Sequence, residues 1–245
     1  MEHKEYKHIV PQAKAAVLCI HGIAGSPNHF ADFLSMIPEH MSVWNLLLDG
    51  HGKGVRDFSK ASMSKWEAQV TTAVEELAVS HERIYILAHS MGTLFAIEQA
   101  IRNRKICKLF LLAVPLKLFL KPAMVDNSLK LYTGKFKPDD PIATVHLRCN
   151  SIQHSKNIFL YLGWIPRFLE LFVKISEVRK LLPELTTKTM VFQSAKDEMV
   201  SRGAAKLLSE NPNLHVTMLA ESGHFYYDSK DAAKMKNAFQ NWLNS

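Results

Sequence analysis

The sequence predicts an α/β protein built on a mostly parallel sheet that helices cover on both faces. Three observations predict it. Short, continuously apolar runs recur along the chain, at Ala15 to Ile20, Ile84 to Leu87 and Leu109 to Val114, as strands buried on both faces require. Stretches with apolar residues at helical spacing separate them, so strand and helix alternate. Finally, Arg83-Ile-Tyr-Ile-Leu-Ala-His-Ser-Met-Gly92 runs straight into Thr93 to Ala100, and its period changes within about two residues, as at a buried strand, one sharp turn and a helix.

In chain order, Glu5 to Val10 reads as a short edge strand that Pro11 ends. Ala15 to Ile20 is a central parallel strand that stops at His21-Gly-Ile-Ala-Gly-Ser-Pro27. There Gly22 and Gly25 permit a tight turn, and Ser26 followed by Pro27 matches an N-cap with proline at the first helical position, starting a helix to about Ile37. Met41 to Leu48 is another strand, closed by Asp49-Gly-His-Gly-Lys-Gly54. The three glycines superficially suggest a dinucleotide loop, but Val55 to Lys60 does not read as a helix start and the third glycine is misplaced. A glycine-rich turn is the better account. Ser62 opens an amphipathic helix to about His81 with Trp66, Val70, Val74 and Leu77 on one face. The strand and helix around Ser90 follow, then a buried strand over Lys108 to Pro115.

From Leu116 to Lys188 the alternation lapses. Lys135 to Pro141 reads as a loop. Ile158 to Ile175 is densely apolar, but Gly163 and Pro166 break it, and Arg167, Glu170 and Lys174 argue against a membrane span. Two helical pieces joined at Gly163-Trp-Ile-Pro166 fit better, placed as a lid over the carboxyl edge of the sheet with apolar faces lining whatever binds above Ser90. The core resumes with a strand at Thr189 to Ser194, a helix at Ser201 to Ser209, a last strand at His215 to Ala220 and a closing helix from Ser229 to Leu243. The domain organisation read from this is a core of 1–115 and 189–245 with an inserted helical cap at 116–188.

With 245 residues, 47% of them apolar, the chain is long enough for a substantial core in one domain. Its start, Met1 to His8, has no apolar signal core, and the three cysteines cannot all pair within the chain, so a reduced, cytoplasmic setting is expected. Cys19 and Cys107 sit in or beside apolar strands and read as structural thiols. No CxxC or HExxH spacing occurs, and no metal or other cofactor is expected. The net charge of +7 is uneven, because Leu116 to Lys188 holds twelve Lys/Arg against six Asp/Glu. Without interleaved aromatics or a nucleic-acid module, this basicity does not indicate nucleic-acid binding. It reads as a solvated helical surface or, more sharply, as attraction to anionic ligands or transient contact with a lipid surface.

An alcohol is a poor nucleophile at neutral pH, so Ser90 needs a base, and the base needs an orienting acceptor. Both belong in loops at the carboxyl ends of later strands. Ala195-Lys-Asp-Glu-Met-Val200 follows one such strand and Glu221-Ser-Gly-His-Phe-Tyr226 the next, which places Asp197 and His224 at equivalent positions. Of twelve histidines, only His224 combines that position with a preceding glycine to free the turn. Glu198 is the rival acid, with its side chain expected toward solvent or the lid.

His21-Gly-Ile-Ala-Gly25, Asp49-Gly-His-Gly52, Ala88-His-Ser-Met-Gly92, Lys196-Asp-Glu-Met-Val200 and Ser222-Gly-His224, in this order, resemble the α/β-hydrolase superfamily. Within it they are most similar to the small bacterial carboxylesterases and monoacylglycerol-lipase-like enzymes. The resemblance covers nearly the whole chain outside the cap. It implies an α/β-hydrolase fold in which Ser90 is the nucleophile, His224 the general base and then acid, and Asp197 the orienter, with the backbone N–H groups of Ile23 and Met91 as oxyanion hole. It also implies that His21 fixes the oxyanion loop and that His89 supports the site from behind. Ala88 stands where the family usually has glycine, and the short N-terminal part implies six or seven strands rather than eight. The activity implied is cleavage of a small-molecule carboxylic ester, of short or medium acyl chain or monoacylglycerol-like, with Trp164, Ile165, Phe168 and Phe172 of the cap as candidate acyl-chain contacts. An aminopeptidase-like or other hydrolase on the same scaffold, and a non-catalytic ligand-binding homologue, are the competing readings.

Overall fold

The computed structural model describes residues 2–119 and 141–244. Its strands are β1 (Tyr6–His8), β2 (Ala15–Ile20), β3 (Ser42–Asn45), β4 (Arg83–His89), β5 (Ile106–Leu112), β6 (Lys188–Ser194) and β7 (Leu214–Leu219). They form one seven-stranded sheet in the order β1-β3-β2-β4-β5-β6-β7. All pairings are parallel except that of β1 with β3. The helices are α1 (Ala31–Leu34), α2 (Val55–Lys60), α3 (Met63–Ser80), α4 (Met91–Arg102), α5 (Pro141–Cys149), α6 (Ile165–Leu181), α7 (Gly203–Ser209) and α8 (Ser229–Asn244). Among the described residues no helix is long and apolar enough to cross a membrane.

Alternation along each strand divides the core in two. Leu18, Ile20, Ile84, Ile86, Leu109 and Leu111 face the layer of α3 and α4, where Trp66, Val70, Leu94 and Ile97 meet them. Val17, Cys19, Tyr85, Leu87, Phe110 and Leu112 face the other layer and pack on Phe33, Phe239 and Trp242. Each such fully buried aliphatic or aromatic side chain stabilises the fold by roughly 1.5–3 kcal/mol. Because β2 and residues 84–88 of β4 are buried on both faces, these runs are continuously apolar rather than alternating.

Most predicted elements form, with shifted ends. Ser26 caps the turn it was expected to cap, its side chain accepting from Asn28 N, but the helix begins as a 3-10 turn at Pro27–Phe30 and ends at Leu34 rather than Ile37. The glycine turn also holds, with Gly50 at φ 77° and Gly52 at φ 71°. The reading of Val55 to Lys60 as non-helical is corrected: these residues form α2, started by Gly54 O accepting from Asp57 N and Phe58 N, and anchored by buried Val55 and Phe58 one turn apart. Of the loop predicted over Lys135 to Pro141, residues 135–140 lie outside the described residues, and Pro141 opens α5.

Between β5 and β6 the described residues include α5, a 3-10 helix and α6, joined by loops whose Gln153 and Leu118 form isolated bridges to Gly54 and Val200. The apolar run breaks where Gly163 and Pro166 suggested, into a 3-10 helix at Ile158–Trp164 and α6. Its inner side joins the core through Leu171, Ile175 and Val178, with Trp164 and Phe168 packed against it. Polar joints reinforce this attachment. Arg167 donates to the carbonyls of Ser59 and Ala61, and Glu170 accepts from Met63 N. Buried Lys174 reaches Glu67 Oε2 at 2.8 Å and Glu98 Oε1 at 3.1 Å. Further back, Ser151 N donates to Ala24 O and its hydroxyl to Gly25 O, tying the segment to the loop after β2.

Candidate active site

Ser90 sits between the end of β4 and the first turn of α4 at φ 51° and ψ −125°. For a residue with a Cβ this backbone costs about 1–3 kcal/mol, so the surroundings must impose it. Ser90 N donates to Leu112 O at 2.9 Å, and Thr93 returns two bonds to Ser90 O, from its N at 2.9 Å and its hydroxyl at 2.6 Å. Packing completes the constraint. A Cβ on Gly92 would fall 2.2 Å from Ile20 O and 2.7 Å from His21 O, and one on Gly22 would fall 2.8 Å from Ser90 Cβ. The start of α4 is thus pressed against the end of β2, and glycine is the only residue that fits. Ala88 lies fully buried in β4, its extra methyl accommodated within the core.

The two loops flagged in the sequence converge on this turn. His224 Nε2 lies 3.1 Å from Ser90 Oγ, and His224 Nδ1 lies 2.8 Å from Asp197 Oδ2. A carboxylate only accepts, so the proton sits on Nδ1 and Nε2 accepts from the serine hydroxyl. Asp197 Oδ1 receives two further bonds, from Met199 N and Val200 N, both at 2.7 Å. Burial opposes ionisation of Asp197, but His224 and these two donors outweigh it and hold the carboxyl below its usual range. For His224 burial disfavours the imidazolium, while Asp197 and then Glu198 favour it, and the balance lies above the ordinary histidine value.

His21 packs under the loop after β2. Its Nε2 accepts from Leu48 N at 3.1 Å, which leaves the proton on Nδ1 to donate to Gly22 O at 2.9 Å. Burial holds its pKa well below normal. This ring therefore braces the loop as a neutral group, helped by the Gly25 N bond to Gly22 O at 2.9 Å. The N–H groups of Ile23 and Met91 flank the serine turn, and among the described residues neither donates a hydrogen bond.

Glu198 departs from its expected direction. It turns back over the histidine loop, where Oε2 accepts from His224 N at 2.9 Å. The glycine before His224 has a different use from the one inferred: Gly223 does not have positive φ, but a Cβ there would stand 2.9 Å from Glu198 Oε1. His89 Nε2 donates to His224 O at 3.0 Å, and its ring lies 4.0 Å from that of His29. Cys19 is buried, its thiol pushed far up by desolvation, while Cys149 contacts His29 Nδ1 at 3.3 Å and is raised to about 11. Neither resembles an activated thiolate.

The four cap candidates divide. Trp164 packs tilted against Phe58 with ring centroids 4.7 Å apart and Phe168 lies 6.5 Å from Trp164, both half-buried against the body. Ile165 and Phe172 are each 53% exposed on the outer side of α6. Sequence reasoning missed Ser151, whose grip on the Ala24 and Gly25 carbonyls links the cap segment to the loop bearing Ile23.

A serine held at a strained strand-to-helix turn, in line with a histidine and an aspartate from the carboxyl ends of two later strands, defines the class of α/β proteins with a nucleophile elbow. The chain belongs to the alpha/beta hydrolase family, whose model matches residues 17–235. No curated protein matches the sequence significantly. Among solved structures, the fold is similar to that reported for LipS and LipT, two metagenome-derived lipolytic enzymes (TM-score 0.75, 17% identity, 100% of this chain and 98% of that one). It is also similar to a monoacylglycerol lipase from Paleococcus ferrophilus (TM-score 0.68, 18% identity, 99% and 98%). An enol-lactonase from Burkholderia xenovorans shares the same fold (TM-score 0.62, 13% identity, 98% and 96%).

Proposed function

We propose that the protein is a serine hydrolase of carboxylic esters, with a small-molecule substrate carrying a short or medium acyl chain or a monoacylglycerol. The observation that carries this reading is the unbroken hydrogen-bonded chain from Ser90 Oγ through His224 to Asp197, anchored on a turn that only dense packing could hold. His224 takes the Ser90 proton as Oγ attacks the ester carbonyl, and the N–H groups of Ile23 and Met91 receive the oxyanion. His224 then returns the proton to the leaving alcohol. Water, activated by the same imidazole, releases the acid from the acyl-enzyme, and no cofactor enters the cycle. Each oxyanion donor contributes about 3 kcal/mol to the transition state.

In this reading residues 1–115 and 189–245 carry the chemistry, and the cap at 116–188 selects the substrate. Every exposed position from Ile158 to Val173 is apolar, which favours an acyl chain over a sugar or phosphate, and supports transient contact with a lipid surface beside the basic residues of the cap. An aminopeptidase-like activity would need carboxylates in the cap to hold a substrate amine. Glu170, the acid nearest the candidate contacts, is instead paired with Arg167.

Replacing Ser90 with alanine should abolish both p-nitrophenyl ester turnover and labelling by a fluorophosphonate. Full activity in that variant would sink the proposal, and folded wild-type protein that takes no label would favour a silent binding protein. Across an acyl-chain series, Trp164→Ala or Phe168→Ala should alter the preference for long esters more than activity on acetate. Equal losses on all esters would remove these residues from the acyl site.

A further inference from the structure

The peptide of His224 is held at both ends by side chains. Its N–H donates to Glu198 Oε2 at 2.9 Å, and its carbonyl oxygen accepts from His89 Nε2 at 3.0 Å. The β7 ladder has already ended at Leu219, and the neighbouring Gly223 N–H closes its own turn onto Tyr226 O at 2.8 Å. Gly223 is what admits the carboxylate, since a Cβ there would meet Glu198 Oε1 at 2.9 Å and Oε2 at 3.1 Å. His89 cannot swing away, because its ring is packed 4.0 Å from His29 and 5.3 Å from Phe225.

We propose that Glu198 and His89 are positioning residues that clamp the backbone of His224 so that its imidazole stays in line between Ser90 and Asp197, with the Glu198 carboxylate adding a second negative charge behind the imidazolium formed during acyl transfer. This rests on the ester-hydrolase reading above. A general base on a loop beyond the sheet has no ladder to fix it, and a displacement of about 1 Å costs on the order of 10²-fold in rate. Two bonds to the peptide itself, rather than to the ring, fix the loop and leave both ring nitrogens for Ser90 and Asp197.

The charges facing His224 agree with this role. Asp197 and Glu198 are the acidic neighbours, from the loop after β6, and both favour the imidazolium. His89 at the end of β4 and His29 in the turn after β2 are kept neutral, chiefly by burial, with Arg148 of α5 near His29 further disfavouring its cationic form. Removing the Glu198 charge therefore lowers the proton affinity of His224, whereas removing the His89 donor leaves that charge balance in place.

The test uses four variants of the full chain, with a fifth, His224→Asn, for signal assignment. Glu198→Gln keeps an acceptor and drops the charge, and Glu198→Ala drops both. His89→Gln keeps an N–H donor, and His89→Phe keeps a ring without one. The readouts are the pH profile of kcat/KM with p-nitrophenyl butyrate, the separate kcat and KM values, thermal melting, and NMR titration of His224 in protein carrying ¹³C-labelled histidine, its signal assigned by loss in His224→Asn. Glu198→Gln should move both the His224 titration and the acid limb to lower pH. Glu198→Ala and His89→Phe should each lose about 10²-fold in kcat with KM unchanged, and His89→Gln should recover most of that loss. A Glu198→Gln titration superimposed on wild type would overturn the charge role, and a Glu198→Ala protein with wild-type kcat would overturn the clamp. Lowered melting temperatures with unmoved profiles would reduce both residues to structural ones. If wild-type protein hydrolyses no ester and takes no fluorophosphonate, the ester reading fails, and the NMR titration still decides whether Glu198 acts on His224.

Discussion

Lys174 offers a direct measure of how the cap is held to the body. Its side chain is 8% exposed and its ammonium contacts Glu67 Oε2 at 2.8 Å, Glu98 Oε1 at 3.1 Å and Glu177 Oε2 at 3.2 Å, while the Glu98 side chain is only 3% exposed. Lys174→Met fills nearly the same volume and removes the charge. Glu67 and Glu177 still reach water, but Glu98 is left as a buried carboxylate without its cation. Breaking a buried pair in this way costs about 3–5 kcal/mol, and at about 2–4 °C per kcal/mol for a chain of this size the melting temperature should fall by roughly 6–20 °C. The loss should depend on pH in a defined direction. Burial already raises the Glu98 pKa against the pull of Lys174, and without that lysine it rises further. A carboxyl with a raised folded-state pKa binds its proton in the native state first, so the deficit is full at high pH and shrinks as pH falls through the folded value toward the unfolded one near 4.3. Urea denaturation from pH 8 to pH 5 reads this out, with Lys174→Met/Glu98→Leu as the paired control, in which much of the stability should return. A Lys174→Met protein that melts within about 2 °C of wild type, or whose deficit is constant over that range, would refute the reasoning.

Three further outcomes are expected. In the proposed mechanism His224 acts as a neutral base, and its pKa lies above the ordinary histidine value; kcat/KM should therefore fall as pH falls, along an acid limb centred above about 6.5, and a limb below pH 6 would contradict the assignment. Gly92→Ala sets a methyl 2.2 Å from Ile20 O, where only backbone can yield, so stability should drop by about 3 kcal/mol or more by urea denaturation, and an unaffected protein would disprove the close approach. Phe159→Ser/Leu169→Ser, at two exposed positions of the cap, should reduce cosedimentation with vesicles containing phosphatidylglycerol while leaving turnover of p-nitrophenyl acetate unchanged; equal binding by both proteins would remove the lipid-surface contact.

What the sequence made legible follows from how each feature encodes itself. The central strands β2 and β4 are readable because burial on both faces gives the continuous apolar runs at residues 15–20 and 84–88. The convergence of Ser90, Asp197 and His224 is readable because a parallel sheet gathers the loops after its strands at one edge, and the order of those strands is visible. Helix α2 was hidden because Gly50, Gly52 and Gly54 dominate the local pattern, and Val55 and Phe58 offer only one turn of helical spacing against them. Gly223 was seen, but its reason was not, since the approach of Glu198 across 25 residues leaves no local mark. Lys174 was read only as a charge that spoils a membrane span, while its partners lie 107 and 76 residues away in α3 and α4.

The same contrast separates the chemistry from its specificity. Around Ser90 the constraints are backbone atoms: Leu112 O, Ile20 O, the Thr93 bonds and the glycines that allow the approach. Such constraints admit few alternatives, so the serine, its histidine and its aspartate can be located without knowing the substrate. The cap is held by different means, through the inner apolar side of α6, the Arg167 bonds to Ser59 and Ala61 carbonyls, and the buried charge on Lys174. None of these joints dictates the outer residues, from Ile158 through Phe172. Packing onto the body does not account for the apolar character of these exposed positions, and in the proposed reading substitutions there should change substrate choice without disturbing the turn at Ser90.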